Sequence, residues 1–498
     1  MLFHAACNVA AGNVTLRAHK PQMTTKSRKI QLLTLAAIPL LAFFSSHAQT
    51  PDLPAGKIIE RVVCLKDASQ SYALYLPPDY TPDRRWPVIY AFDPGARGLR
   101  PVERFKDAAE KYGYIVIGSN NSRNGPGVPL SEIISALFDD AQARFSIDAS
   151  RVYTTGFSGG ARVAGSVAQS LEGRIAGVIL CGAGFSPGKA PAKPLSFTVF
   201  SVAGSEDFNW VELRQLNRTL DSIGSVNRFV TFDGDHAWLP SDFCLMAVEW
   251  LEIQAMRSGK RKRDEKLIAE LFDKAAGQAR AAESAKRVYE AFLKYDAMAK
   301  DFQGLRDTAD FAKRVEELRS SGEVKDHLKQ EKAAEQAQQQ RSLEFFSKRE
   351  QLRTAENLSA AMMEMKYLIS SLRKKAASND ESVDRLVARR TLGLFYVSMM
   401  EGAAGHRSTK NYPEAIADLT LAAEVRPNNP QIFFALARVC ALGGEKRQAL
   451  EALKKAVELG FTNADEIVGN QDFASVRNEA AYRQLIEEAK RKAQSEKR

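Results

Sequence analysis

Histidine and cysteine are scarce in this chain, and their scarcity excludes several kinds of site. Six histidines and five cysteines occur among 498 residues, and His236 is the one histidine between residues 49 and 258. Because this stretch has neither paired histidines nor clustered cysteines, the sequence predicts no metal site there. It also has no glycine loop of the kind that cradles nucleotide phosphates, so we expect no cofactor. The cysteines after residue 48 stand in apolar contexts, which favours buried free thiols.

Long hydrophobic runs are also missing. The apolar run at residues 30–44 is short for a membrane span, follows basic residues and precedes small residues at Ser46 and Ala48. These features predict a secretory signal peptide cleaved before Gln49, with a retained membrane anchor as the alternative. The natural start is expected at Met23, which gives a short basic leader. We therefore expect a periplasmic or secreted protein that is free of the membrane after cleavage.

Positive charge does not form a binding patch. The formal net charge is +10, but the excess lies in the leader and in the last half of the chain, where basic and acidic residues mix on helical patterns. Such mixing is typical of solvated helix faces. We therefore expect no nucleic-acid partner.

Composition divides the chain into four segments. Residues 1–48 form the leader, and residues 49–256 alternate β-rich runs with helical patterns, which predicts a mostly parallel sheet with flanking helices. Residues 257–380 are poor in glycine and proline and rich in charged helix formers, so we expect charged helices. Residues 381–498 continue the helical pattern. The predicted fold class is thus α/β followed by an all-α region, and the boundary predicts that the first part acts alone on small substrates.

Six apolar runs are the strand candidates of the α/β segment. They are continuously apolar, as strands buried on both faces of a sheet should be. The candidates are Val88 to Phe92, Tyr114 to Gly118, Arg151 to Thr155, Ala176 to Cys181, Phe197 to Val202 and Arg228 to Phe232.

An internal repeat of 34 residues lies near the end of the chain. Residues 413–425 realign with residues 447–459, so that Ala415 corresponds to Ala449. This period is typical of tetratricopeptide repeats, whose paired helices need small residues where they cross. We interpret residues 402–411 as an insertion between the helices of the first repeat. We expect residues 381–498 to form such repeats followed by capping helices, and these helices would suit a protein partner.

A Gly-x-Ser-x-Gly motif, residues 156–160, carries the candidate nucleophile Ser158. A β-rich run precedes the serine and small residues follow it. A nucleophile elbow needs this arrangement, because the serine sits on a strained turn between strand and helix and bulky neighbours would collide. The alternative is a glycine-rich turn without chemistry, and the surrounding pattern favours the elbow.

The candidate base and acid follow the serine in the chain. Serine at neutral pH needs a base within hydrogen-bond reach, and His236 follows the last strand candidate. A carboxylate should orient the imidazole and stabilise the imidazolium. Asp207 follows the preceding strand and is our choice over Glu206 and Asp235. The side chains of Asp235 and His236 should point apart, because neighbours on an extended segment alternate.

An oxyanion hole completes such a site. We expect one donor to be the backbone N–H of Gly159, and the second to come from the loop after the first strand candidate. Pro94 has no N–H, which leaves Gly95 or Asp93. No substrate-binding residue is assigned, although the loop at residues 120–126 could line the cleft.

Five segments, at residues 74–80, 87–94, 156–160, 204–207 and 235–238, together resemble one branch of a known superfamily. They are similar to the esterases, feruloyl esterases and polyhydroxybutyrate depolymerases among the α/β-hydrolases, and the likeness covers roughly the α/β segment. The resemblance implies a carboxylic ester substrate, small or polymer-linked, attacked by the serine of a Ser-His-Asp triad. Many relatives carry His-Gly where this chain has Phe-Asp or Asp-Pro after the first strand candidate.

Three functions fit these patterns. The first is an exported carboxylesterase that works through an acyl-enzyme. The second is a serine peptidase on the same fold, which differs in the leaving group. The third is a catalytically inactive scaffold that acts through its helical repeats. The complete set of Ser158, His236 and Asp207 favours an enzyme over the scaffold.

Overall fold

The computed structural model describes residues 53–125, 127–352, 358–379 and 382–496. The predicted leader, the start at Met23 and the cleavage site before Gln49 lie outside the described residues. Within the described ranges, no helix combines the length and the apolar character that a bilayer crossing requires.

An eight-stranded sheet forms the centre of the first part of the chain. Only β2 runs against its neighbours, and the other strand pairs are parallel. The order across the sheet is β1-β2-β4-β3-β5-β6-β7-β8. The strands are β1 (Ile58–Val63), β2 (Ser71–Tyr75), β3 (Trp86–Phe92), β4 (Ile115–Ser119), β5 (Ile147–Phe157), β6 (Gly177–Cys181), β7 (Thr198–Gly204) and β8 (Asn227–Phe232).

Helices cover both faces of this sheet. Alternate residues of β3 point to opposite faces, so Val88 belongs to the apolar core under α2, α3 and α4, whereas Ile89 belongs to the core under α1 and α5. The predicted α/β fold with flanking helices is confirmed. The five helices are α1 (Leu99–Tyr112), α2 (Leu130–Arg144), α3 (Gly159–Ser170), α4 (Trp210–Ser222) and α5 (Ser241–Arg257).

The remaining chain is helical, as predicted. We call residues 53–257 the sheet domain and residues 265–496 the helical region. Its helices are α6 (Glu265–Ser284), α7 (Val288–Asp301), α8 (Ala309–Arg319), α9 (Gly322–Leu352), α10 (Leu358–Ala376), α11 (Val383–Ser408), α12 (Tyr412–Val425), α13 (Pro430–Leu442), α14 (Lys446–Glu458), α15 (Ala464–Gly469) and α16 (Ala480–Glu496), with a short 3₁₀ helix at Gln471–Phe473.

One detail of the repeat prediction is wrong. Residues 402–408, interpreted as part of an insertion, continue α11 without a break. Gly402 is not a helix breaker here: a Cβ at this position would lie 2.4 Å from Asp418 Oδ2, and the glycine leaves room for the ion pair of Asp418 with Arg349 at 2.7 Å. The starts of α12 and α14 do follow the offset of the sequence repeat.

Ion pairs and hydrogen bonds cross the boundary between the sheet domain and the helical region. The indole Nε1 of Trp250 donates to Asp301 Oδ1 at 2.7 Å, and Arg228 lies 2.5 Å from the other oxygen of this carboxylate. On another side, Arg218 lies 2.7 Å from Glu335 of α9. The composition therefore changes where α5 ends. The surface of the sheet domain at this boundary is not free, because the helical region bonds to it.

Candidate active site

Ser158 stands on a strained turn between β5 and α3. Its backbone has φ 54° and ψ −121°, a conformation that non-glycine residues rarely adopt. Its N–H donates to the carbonyl of Cys181 at 2.8 Å, which ties the turn to the end of β6. A Cβ on Gly160 would lie 1.9 Å from the Phe92 carbonyl, so the helix can approach β3 only with glycine there. A nucleophile elbow requires a strained turn of this kind at the carboxyl end of a sheet strand.

A histidine and a carboxylate form a close pair after the carboxyl ends of β7 and β8. His236 Nδ1 lies 2.9 Å from both carboxylate oxygens of Asp207. Asp207 is fully buried, and its Oδ1 also accepts the backbone N–H of Asn209 at 2.8 Å. A proton on Nδ1 donates to this carboxylate, which leaves Nε2 as the acceptor that a nucleophilic hydroxyl requires.

Aromatic rings hold the imidazole beside the serine turn. The ring centroid of Phe157, the residue before Ser158, lies 4.5 Å from that of His236, and the ring of Phe208 lies 4.2 Å away. Gly182 lies against both members of this pair and leaves no room for a side chain. A Cβ there would lie 3.0 Å from Asp207 Oδ2 and 3.1 Å from His236 Cε1. The structure thus brings the three predicted residues to one end of the sheet.

The other two candidate carboxylates do not contact the imidazole. Among the described residues, His236 Nδ1 is hydrogen-bonded to Asp207 and to neither Glu206 nor Asp235. Glu206 instead forms an ion pair with Arg389 of α11. The adjacent carboxylates of Glu206 and Asp207 therefore point to different parts of the molecule.

The predicted oxyanion donors have different environments. Gly159 is the first residue of α3, so its N–H has no acceptor within the helix. The N–H of Gly95, by contrast, donates to Asp93 Oδ1 at 2.8 Å. Asp93 itself is fully buried. The prediction of Gly95 as second donor is therefore not supported, because a carboxylate already occupies its N–H.

The helical region reaches the loop that carries the candidate acid. We call residues 205–208 the acid loop. Arg390 Nε of α11 donates to the carbonyl of Ser205 at 2.7 Å, and Gln338 Nε2 of α9 donates to the carbonyl of Phe208 at 2.8 Å. Both donors are buried. Sequence reasoning missed them, because no local pattern marks a residue that bonds to a backbone carbonyl more than a hundred positions away.

Helix α11 also places charges near the site. The guanidinium of Arg390 lies 3.8 Å from the ring centroid of Trp210, and burial lowers the pKa of Arg390 to about 10. Further along the same helix, desolvation raises the pKa of Glu401, whereas the nearby Arg162 and His236 oppose that shift. Helix α11 therefore brings charged residues of the helical region close to Asp207 and His236.

Cysteine offers no second nucleophile in the described chain. Cys64, Cys181, Cys244 and Cys440 are buried and unpaired. Burial raises the pKa of Cys64 to about 11 and that of Cys440 to about 12, so their thiols are protonated at neutral pH. Within the same residues, no group of three or more His, Cys, Asp or Glu side chains is placed to hold a metal ion.

Comparisons with known proteins give similar structures and no similar sequence. No protein-family model and no curated protein sequence matches the chain. A ferulic acid esterase is 15% identical with a TM-score of 0.34, over 39% of this chain and 97% of that one. S-formylglutathione hydrolase from Staphylococcus aureus is 14% identical with a TM-score of 0.31, over 36% and 90%. Est1E from Butyrivibrio proteoclasticus is 13% identical with a TM-score of 0.31, over 40% and 100%.

Proposed function

We propose that the protein is an exported serine hydrolase that cleaves carboxylic esters. One observation carries the proposal: the strained turn of Ser158 lies beside the pair of His236 and the buried Asp207, whose Nδ1 to carboxylate distance is 2.9 Å. A strained non-glycine residue next to an oriented imidazole is costly for a purely structural turn, and it is required for a nucleophile elbow.

The proposed reaction follows from the roles of the three side chains. His236 Nε2 removes the proton of the Ser158 hydroxyl as the oxygen attacks the ester carbonyl, and the Asp207 carboxylate stabilises the imidazolium that forms. The imidazolium then gives the proton to the departing alcohol, which leaves an acyl-enzyme. Water, activated by the same imidazole, hydrolyses the acyl-enzyme and restores the serine.

Labelling with a fluorophosphonate tests the nucleophile. We expect the full chain to be labelled and to turn over p-nitrophenyl esters, and Ser158→Ala to lose both. Ser166→Ala is a matched control, because Ser166 lies on α3 with its hydroxyl 3.1 Å from that of Ser186. Ester turnover by Ser158→Ala at the rate of the unmodified chain would refute the proposed nucleophile.

A substrate panel separates esterase from peptidase. Both reactions use the same nucleophile and differ in the leaving group, so the structure of the triad fits either. We expect p-nitrophenyl esters to be cleaved much faster than peptide anilides. The reverse order would assign the site to a peptidase, and no turnover of either class would favour a scaffold that acts through its helices.

Export and partner binding are separate parts of the proposal. Export rests on the apolar run at residues 30–44 and its basic flank. Mass spectrometry of the protein isolated from the exporting cell should find a mature chain that begins near Gln49. Retention of residues 30–44 would instead indicate a membrane anchor. Partner binding rests on the repeated helices α12 and α14, whose equivalent positions are 34 residues apart.

A further inference from the structure

The loop after β3 has few N–H groups left for an oxyanion. Pro94 has no N–H, and the N–H of Gly95 donates to Asp93 Oδ1 at 2.8 Å. The N–H of Ala96 donates to the carbonyl of Asp93 at 3.2 Å. Asp93 itself has no exposed surface. A donor from another element would therefore stabilise a tetrahedral intermediate next to Gly159.

The side chain of Asn124 lies directly against Gly159. A Cβ built on Gly159 would lie 1.9 Å from Asn124 Oδ1 and 2.7 Å from Nδ2. Asn124 is an exposed residue, and within the described chain neither polar atom of its carboxamide has a hydrogen-bond partner. The amide can therefore turn its Nδ2 hydrogens toward the space beside the Gly159 N–H.

The backbone around Asn124 is fixed to the loop after β3. The N–H of Asn124 donates to the carbonyl of Pro94 at 2.9 Å, and Arg123 forms a β-bridge with Gly95. The loop after β4 is thus anchored on the loop after β3. This anchoring holds the carboxamide of Asn124 beside Gly159.

The glycine at position 159 is explained by this contact. In a Gly-x-Ser-x-Gly motif the residue after the serine is free to vary, and its backbone N–H is what the oxyanion uses. Here a side chain at that position would collide with Asn124. The glycine therefore keeps the carboxamide beside the first donor.

We propose that Asn124 is a catalytic residue whose Nδ2–H is the second donor to the oxyanion formed on the Ser158 adduct. The inference rests on the proposed serine hydrolase function. As Ser158 Oγ bonds to the carbonyl carbon, the carbonyl π electrons move to oxygen, and the Gly159 N–H and the Asn124 amide both donate to that negative oxygen. No proton leaves Asn124, so its effect is electrostatic and largest in the transition state.

Two variants of the full-length chain test the inference. Asn124→Ala should lower kcat for a p-nitrophenyl ester by about 10²- to 10³-fold with little change in KM, the loss typical of one oxyanion donor. Asn124→Asp keeps the shape of the side chain but replaces the donor with a carboxylate, and it should lose at least as much. Both should still be labelled to completion by a fluorophosphonate, at a reduced rate.

Asn463→Ala is the matched control, because the Asn463 amide lies at the start of α15 in the helical region and donates to Glu466 Oε2 at 3.1 Å. Its kcat should equal that of the unmodified chain. If Asn124→Ala has the same kcat as this control, the inference is wrong and a backbone donor must serve. Failure of the proposed function would look different, because the unmodified chain would then neither label nor turn over esters.

Discussion

Asp207 and Glu206 are neighbours in the chain, yet their side chains have different partners, His236 and Arg389. Asp207→Asn should leave the fold intact and lower kcat by about 10⁴-fold, because an amide favours the wrong imidazole tautomer. Glu206→Gln should leave kcat nearly unchanged, because the side chain of Glu206 pairs with Arg389 and not with His236. Ester turnover and circular dichroism of both variants check this ranking, and the reverse ranking would move the acid to Glu206.

Gly182 is a second residue whose substitution should be informative. Its φ of 63° is unfavourable for other residues, and a Cβ would lie 3.0 Å from Asp207 Oδ2. Gly182→Ala should therefore lose stability, by about 1–2 kcal/mol, and also kcat, because the acid and the imidazole are pushed apart.

Gly173→Ala separates these two effects. Gly173 has φ 84°, and a Cβ there would meet nothing within 4 Å. This control should show a comparable loss of stability in thermal unfolding with full ester turnover. Equal kcat in both variants would mean that Gly182 matters only for its backbone.

At the scale of elements, α11 contacts the acid loop through Arg390. Arg390→Met keeps the apolar stem but removes the hydrogen bond to Ser205 and the positive charge near Asp207. A lost charged hydrogen bond costs about 1.5–3 kcal/mol, so the free energy of unfolding should fall. We also expect a lower kcat at similar KM, because the acid loop loses one of its supports.

Arg407→Met on the same helix is the control for this prediction. Arg407 lies 3.0 Å from Asp472, which belongs to the end of the helical region and not to the acid loop. Its kcat should be unchanged in a p-nitrophenyl ester assay. Full turnover by Arg390→Met would show that the acid loop holds its geometry without α11.

Sequence patterns predicted the elements whose apolar runs are continuous. β3 is buried on both faces and was predicted. β1 was not recognised, because it lies at the edge of the sheet with Glu60 and Arg61 exposed, and β2 was missed although it is buried, because its run of five residues is short and begins with a serine. The positions of Ser158 and His236 followed from a local motif and from chain order. Asn124 and Arg390 did not, because their roles arise from contacts between distant segments that leave no periodic signal.

At the scale of the whole molecule, the sheet domain should not stand alone. A fragment of residues 49–258 would lose Asp301, which accepts the indole N–H of Trp250 at 2.7 Å and pairs with Arg228. A buried donor left without its acceptor costs about 1–3 kcal/mol. It would also lose Gln338 from the carbonyl of Phe208.

The fragment should therefore be unstable and much less active than the full chain. This differs from the expectation based on composition alone, which predicted that the part of the chain before residue 257 acts alone on small substrates. Purified fragment and full chain can be compared by thermal unfolding and ester turnover. A fragment that unfolds at the same temperature and keeps the same kcat would show that the interface contributes little.

The long helix α11 has one further consequence. It bonds to the acid loop through Arg390 and packs against α12, the first helix of the sequence repeat. A ligand that bound the repeats and displaced α11 would change the affinity of the active site for a transition-state analogue. Thermodynamic linkage is reciprocal, so the analogue would then change the affinity of the repeats for that ligand by the same factor. The two halves of this chain would behave as one allosteric unit.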